Sequence, residues 1–434
     1  MNKISGNAAL AIVVANMIGT GVFTSLGFQL VSSNNTWSII LLWLIGAVMA
    51  LCGAFVYAEL GTVFKRSGGE YHFLSEIYGK QVGYLAGWTS LTVGFAAPVA
   101  LAAMAVGEYT ESYLGGAAKV IAIAVVLVIS ALHMFDTQKS SHFQKTTTFI
   151  KVAIVIALIA CGLLLPSTES GLDWSASWTE EVLMPSFAVS LVYVSYSFSG
   201  WNAAAYITDE IKDVKRNLPL ALVGGTLFVS LLYILLQLIF LKHASVDQLA
   251  GEVEVGKIVA INLFGDNGGQ LVSYLIAFML ISSISAMIWV GPRVTRTMGE
   301  DYKLWSYFSS TNSNQVPVRA IILQSLISIV MIITGSFEQV LIYSGFILQL
   351  FVVLTVIGSF IVRQRNIQSV YRTPGYPLPQ IIYSVLGCWI LIYLMKESFW
   401  ESMVGLGIIA AGSVSYWLNQ KLESKALSES SSLS

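Results

Sequence analysis

Charge is scarce in this chain. Charged residues make up 11% of 434 positions, where ordinary soluble domains carry ~25%. Cysteine is scarcer still: Cys52, Cys161 and Cys388 all lie inside apolar runs, so no extracellular disulfide framework is available and each reads as a small hydrophobe. The four histidines, His72, His133, His142 and His243, sit at span ends or in loops at no metal-ligand spacing. No phosphate-binding loop, HExxH motif or paired catalytic carboxylates occur at membrane depth. A catalytic constellation is therefore missing, which disfavours an enzyme, and no cofactor, metal or nucleic-acid partner is expected. Without a nucleotide-binding domain, this chain by itself is not an ATP-driven pump. No cleavable signal is expected, since Met1-Asn2-Lys3 runs straight into a spanning segment with no A-x-A-like site after it.

What the chain has instead is apolar length. Hydrophobic residues are 56% of the total, in recurring runs of ~20, enough to cross a bilayer as helix. The expected fold class is an all-α polytopic membrane protein with twelve transmembrane helices. They are placed at 6–31, 38–63, 80–107, 118–135, 145–165, 182–208, 218–241, 268–298, 316–334, 337–362, 377–395 and 402–418. The serine-rich tail, Leu422 to Ser434, reads as disordered. Orientation follows from lysine and arginine in alternate loops. With a cytoplasmic N-terminus, 18 of the 23 fall inside, four fall outside (Lys119, Lys242, Lys257 and Lys396), and Lys151 lies within a span. Both termini are thus expected to be cytoplasmic, and the protein to sit in the lipid bilayer of a cell membrane.

The most informative stretch is the broken start of span 1, Met17-Ile18-Gly19-Thr20-Gly21-Val22-Phe23. Two glycines two residues apart invite the helix to unwind at membrane depth, and unwound backbone survives there only where it lines a cavity or holds a ligand. A second such place is Phe198-Ser199-Gly200-Trp201 in span 6. Paired interruptions in the two halves of a chain are the best sequence pointer to a transporter's binding site. Packing is the ordinary duty of a membrane glycine, but two breaks in matching positions favour a site.

Several motifs together resemble one family. They are Ile18-Gly19-Thr20-Gly21-Val22-Phe23; Tyr57-Ala58-Glu59-Leu60-Gly61 with Ser67-Gly68-Gly69-Glu70-Tyr71; Ser199-Gly200-Trp201-Asn202 with Thr208-Asp209-Glu210 and Arg216-Asn217-Leu218-Pro219; and Tyr371-Arg372-Thr373-Pro374-Gly375-Tyr376-Pro377. In order and spacing they are similar to the amino acid–polyamine–organocation (APC) superfamily, within it to the L-type amino acid transporter branch. The resemblance implies a LeuT-type 5+5 inverted repeat plus two C-terminal helices: a first repeat over 1–165, a second over 182–362, appended helices over 377–418 and a cytoplasmic tail over 419–434. It implies a secondary active carrier working by alternating access, through exchange or proton-coupled uptake. The alternatives are a non-transporting amino-acid sensor on the same fold, or a carrier of cationic amino acids or polyamines.

The site residues follow from both lines of reasoning. At the first break the amides near Ile18, Gly19, Thr20 and Gly21 meet the positive end of the next half-helix, a place for a carboxylate. At the second, the half-helix ending near Tyr196 to Phe198 leaves carbonyls for an ammonium group, with Ser199, Gly200 and Trp201 beside them. The small-molecule substrate is thus expected to be an α-amino acid. By the resemblance Tyr196 is a gating aromatic, and Ser199 departs from the commoner glycine. The interiors of spans 1, 3, 6, 8 and 10 hold no aspartate or glutamate, which favours a neutral amino acid. Eukaryotic members carry a cysteine after span 3 that links a glycoprotein subunit; the loop from Glu108 to Lys119 has none, so no disulfide-linked subunit is expected. Lys151 in span 5 has two readings: snorkelling to the inner interface, or, by the resemblance, the coupling role of replacing the sodium ion of sodium-dependent relatives. Glu59, at the inner end of span 2 near Lys65 and Arg66, reads as a structural ion pair or hydrogen bond ahead of a functional carboxylate, and the mixed charges from Asp209 to Arg216 as a solvated loop ahead of part of an inner gate.

Overall fold

In hydrocarbon every backbone amide and carbonyl must be satisfied within its own segment, so long apolar runs become helices. The computed structural model describes residues 3–115, 117–135, 137–167 and 169–431, and among them the regular structure is all helical, joined by one isolated bridge between Ile4 and Ile211. In chain order the helices are α1 (Gly6–Met17), α2 (Gly21–Leu30), α3 (Thr36–Val63), α4 (Glu70–Tyr78), α5 (Lys80–Thr89), α6 (Ala96–Leu114), α7 (Ala118–His133), α8 (Thr137–Leu164), α9 (Trp178–Glu181), α10 (Pro185–Ser197), α11 (Val214–Pro219), α12 (Gly225–His243), α13 (Val246–Leu249), α14 (Val255–Asp301), α15 (Val318–Thr334), α16 (Phe337–Gln364), α17 (Leu378–Glu397) and α18 (Phe399–Ser431). Among the described residues, eight helical stretches are long and apolar enough to cross a membrane, and α7 and α15 are shorter apolar helices. The protein is an integral membrane protein.

Breaks have local causes. Five-residue π segments at Ser90–Gly94 and Leu220–Gly224 join α5 to α6 and α11 to α12. The second follows Pro219, which supplies no amide to the helical ladder. Gly265, at φ 72°, interrupts α14, which places the start of its membrane part close to the expected residue 268. The tail differs from expectation: α18 continues through Ser431, so residues 422–431 are helical, while 432–434 lie outside the described residues.

The interrupted helices lie in the middle of the bundle. The first break separates α1 from α2 at Ile18–Thr20; the second separates α10 from a 3₁₀ segment, Ala203–Glu210. Helix α10 packs against α2, α3, α16 and α17, while α14 packs against α6, α7, α8 and α15. Large apolar side chains such as Leu44, Val48, Val128, Leu231, Leu326, Val330 and Val385 remain exposed, the surface a bilayer would cover. At one end of the bundle, Glu59 of α3 is held by Arg363 (2.6 Å) and by the Thr373 amide (2.9 Å). The ion pair is thus made with Arg363 rather than with Lys65 or Arg66, which lie nearer in sequence; Arg66 pairs with Asp301.

Candidate functional site

Helix α1 ends in the membrane interior, so its last carbonyls need donors from elsewhere. Tyr233 donates to the Met17 carbonyl. The Lys151 ammonium lies 3.4 Å from the Ala15 carbonyl, 3.2 Å from the Ile18 carbonyl and 2.8 Å from the Ser283 hydroxyl. Three donors thus meet three acceptors, and a positive charge caps the negative end of the α1 dipole. Lys151 is 0% exposed. Snorkelling is therefore not what it does; its stem turns inward to the broken helix. Ser283 reinforces the arrangement by donating toward the same Ile18 carbonyl at 3.3 Å.

On the far side of the break, the amides of Gly19 and Thr20 have no backbone acceptor among the described residues, and the Gly19 amide meets the Tyr233 hydroxyl instead. Neither Gly19 nor Gly21 adopts positive φ. Gly21 is constrained by space: a Cβ there would lie 2.5 Å from the Ser197 Cα, whereas one at Gly19 would meet nothing nearer than 3.8 Å. Packing between α2 and α10 thus requires the second glycine. Ser25 and Ser197 are joined at 2.8 Å, and Thr20 and Tyr196 share a 2.9 Å hydroxyl–hydroxyl hydrogen bond.

The second break is tighter than a simple helix end. The Ser199 amide donates to the Tyr196 carbonyl and the Trp201 amide to the Phe198 carbonyl, leaving the Ser197 and Ser199 carbonyls without a backbone donor among the described residues. Gly200 does need its conformation: its φ is 94°, and a Cβ would lie 2.7 Å from the Asn16 carbonyl oxygen. The second break therefore touches the last turn of α1, backbone against backbone.

A cavity of about 120 Å³ opens beside the second break, against roughly 10–15 Å³ needed for one water. Tyr196, Ser199, Gly200 and Trp201 line it, with Asn16 of α1, Ser90 and Gly94 of the first π segment, and Trp289 of α14. Ile18, Gly19, Thr20 and Gly21 do not line it; Tyr196 stands between them and the cavity through its bond to Thr20. Phe198 also turns away, 1% exposed, and packs on Trp43 and Tyr233 at ring distances of 6.0 and 5.4 Å. Lys151 lies behind the first break, outside the cavity wall.

One residue at the cavity escaped the sequence reading. Glu70, the first residue of α4, is 5% exposed and lines the cavity. Its Oε1 accepts from the Tyr57 hydroxyl at 2.9 Å and the Asn202 amide at 2.5 Å. The expectation of a cavity free of carboxylates looked only inside the spans; α4 lies between them and folds back into the bundle. Nearby, the loop read as solvated is partly engaged: Asp209 accepts from Ser67, and Ile4 exchanges backbone hydrogen bonds with the Glu210 carbonyl (2.8 Å) and Lys212 amide (2.9 Å). Burial raises the Glu210 carboxyl above its usual range.

This arrangement agrees with comparison to known proteins. The family model described as amino acid permease matches residues 4–414. The mouse b(0,+)-type amino acid transporter 1 is 27% identical over 429 residues, covering 95% of this chain and 86% of that protein. The serine/threonine exchanger SteT of Bacillus subtilis (strain 168) is 27% identical over 386 residues, 86% of each chain. The mouse large neutral amino acids transporter small subunit 2 is 22% identical over 431 residues, covering 95% of this chain and 80% of the other. With broken helices of this kind and a match from end to end, the chain belongs to the amino acid permease family of the APC superfamily.

Proposed function

We propose that this protein is a sodium-independent exchanger of α-amino acids in a cell membrane, with both termini cytoplasmic. In this reading twelve spans form two inverted five-helix repeats plus two appended helices. One bundle rocks against the other around the two breaks. The observation that carries the reading is the nearness of the two breaks, with the Gly19 and Thr20 amides lacking backbone acceptors, Gly19 meeting the Tyr233 hydroxyl instead, and the Ser197 and Ser199 carbonyls lacking backbone donors. Such a pair offers donors to a carboxylate and acceptors to an ammonium group. Ile18, Gly19, Thr20 and Gly21 are assigned to the carboxylate, and the segment from Tyr196 through Phe198, Ser199 and Gly200 to the amine. Trp201 walls the side-chain space, and Tyr196, tied to Thr20, must swing for a carboxylate to reach the first break.

Lys151 is assigned to coupling. Its ammonium occupies a nest of three oxygens of the hard, neutral kind that a sodium ion would take, and so removes the need for one. The cavity-lining spans carry no acid of their own, but Glu70 of α4 lines the cavity, so neutral and cationic side chains both fit this reading. Exchange is supported by a relative named as an exchanger. Reconstituted proteoliposomes loaded with unlabelled amino acid, assayed with and without sodium and with and without a pH gradient, test the reading. Uptake that ignores internal substrate would contradict it.

A further inference from the structure

A buried carboxylate in a membrane protein is expensive unless its oxygens are matched. Glu70 is half matched. Oε1 holds two donors, from Tyr57 and Asn202, while Oε2 is buried with no hydrogen-bond partner. No lysine or arginine pairs with it among the described residues. The Tyr206 hydroxyl also hydrogen-bonds the same carboxylate, which sits at the first turn of α4, where the helix dipole favours negative charge. Glu70 is thus held in place from one side and left open on the other.

The open side belongs to the cavity. Glu70 lines it, as do three more residues with buried atoms that lack partners: Thr89 Oγ1, Trp289 Nε1 and Gln349 Nε2. Distance along the chain ties Glu70 to the proposed binding site. Its Oε1 is hydrogen-bonded to Asn202, two residues after Gly200, and two residues extend at most ~7 Å. An amino acid seated at the second break would have Glu70 within side-chain reach.

We propose that Glu70 Oε2 is a side-chain selectivity element that receives an N–H or O–H donor from the transported amino acid. The preferred substrates are therefore those with hydroxyl, carboxamide or amine side chains over apolar isosteres. This rests on the reading of the protein as an amino acid exchanger. Burial is what gives the element its force: a site built to accept a hydrogen bond rejects an analogue lacking the donor, because its own oxygen is then left unpaired. A polar side chain satisfies Oε2 and an apolar one of the same shape does not.

The test is competition against exchange of a labelled amino acid in proteoliposomes, using threonine against valine, asparagine against leucine, and lysine against norleucine. The inference expects the donor-bearing member of at least one pair to compete at least about tenfold better. The pair that shows it identifies the donor as hydroxyl, carboxamide or ammonium. In E70Q one oxygen must serve Tyr57 and Asn202, and an NH₂ group faces the cavity, so the preference should shrink to within about threefold. Equal competition within all three pairs in the wild-type protein overturns the inference, whether or not E70Q folds. A preference that survives intact in E70Q also overturns it. If no amino acid competes at all, the exchanger reading itself fails, which is a different result from equal competition.

Discussion

Replacing Lys151 with methionine keeps most of the stem's volume and removes the charge and its three donors. The Ala15 carbonyl then loses its side-chain donor, while the Ile18 carbonyl keeps only Ser283 at 3.3 Å. An unsatisfied buried acceptor costs ~1–3 kcal/mol, and loss of a cation from a partly buried helix C-terminus costs ~0.3–2 kcal/mol. Taking the low-to-middle part of these ranges, about 2 kcal/mol is lost from the geometry of the first break, or roughly thirtyfold in an equilibrium constant. Exchange by K151M should therefore fall at least about thirtyfold in rate at saturating substrate. The assay is counterflow in proteoliposomes, with reconstituted protein quantified and its monodispersity checked before insertion. K151A should be worse, because it also opens a cavity. A K151M protein that exchanges within about threefold of wild type would refute the reasoning, since the ammonium would then be dispensable to the break it caps.

Three further outcomes are expected. G21A should lose exchange almost completely, because a Cβ would lie 2.5 Å from the Ser197 Cα, whereas G19A, with 3.8 Å to its nearest neighbour, should keep a measurable fraction; uptake by the two variants side by side checks the order. The methyl ester and the N-acetyl derivative of any transported amino acid should each compete at least tenfold more weakly than the parent, on the order of one lost charge-assisted hydrogen bond, and equal competition by either would mean that one end of the substrate is not read. E59Q should lower the melting temperature of detergent-solubilised protein, because it leaves Arg363 facing a neutral group; R363Q should lower it too, and the double variant should be less harmful than the sum of the two.

The breaks were legible in sequence because glycine pairs and a Ser-Gly-Trp run inside apolar segments have few physical destinations. Lys151 was legible for a related reason: a lone lysine deep in an apolar helix must either reach water or find oxygens, and the 0% exposure decides between them. Glu70 was not legible, since its position depends on tertiary folding. The only local hint is Gly68-Gly69, at φ 131° and 57°, which turns the chain so that Tyr71, Phe73, Leu74 and Ile77 bury α4 against the bundle. The direction of the Phe198 ring was not legible for the opposite reason. Its sequence neighbourhood marks the break, but the direction of its ring is set by Trp43 and Tyr233 on other helices. The partner of Glu59 was likewise a long-range matter, with Arg363 distant in sequence and Lys65 close.

The central claim is exchange of an amino acid at two facing helix breaks, with Lys151 standing where an ion would otherwise bind. It is tested most directly by counterflow in sodium-free buffer. Proteoliposomes loaded with the unlabelled form of a transported amino acid should take up its labelled form several-fold faster than empty ones, at a rate unchanged when potassium outside is replaced by sodium. Uptake that requires sodium, or that is no faster into loaded vesicles than into empty ones, would contradict the account.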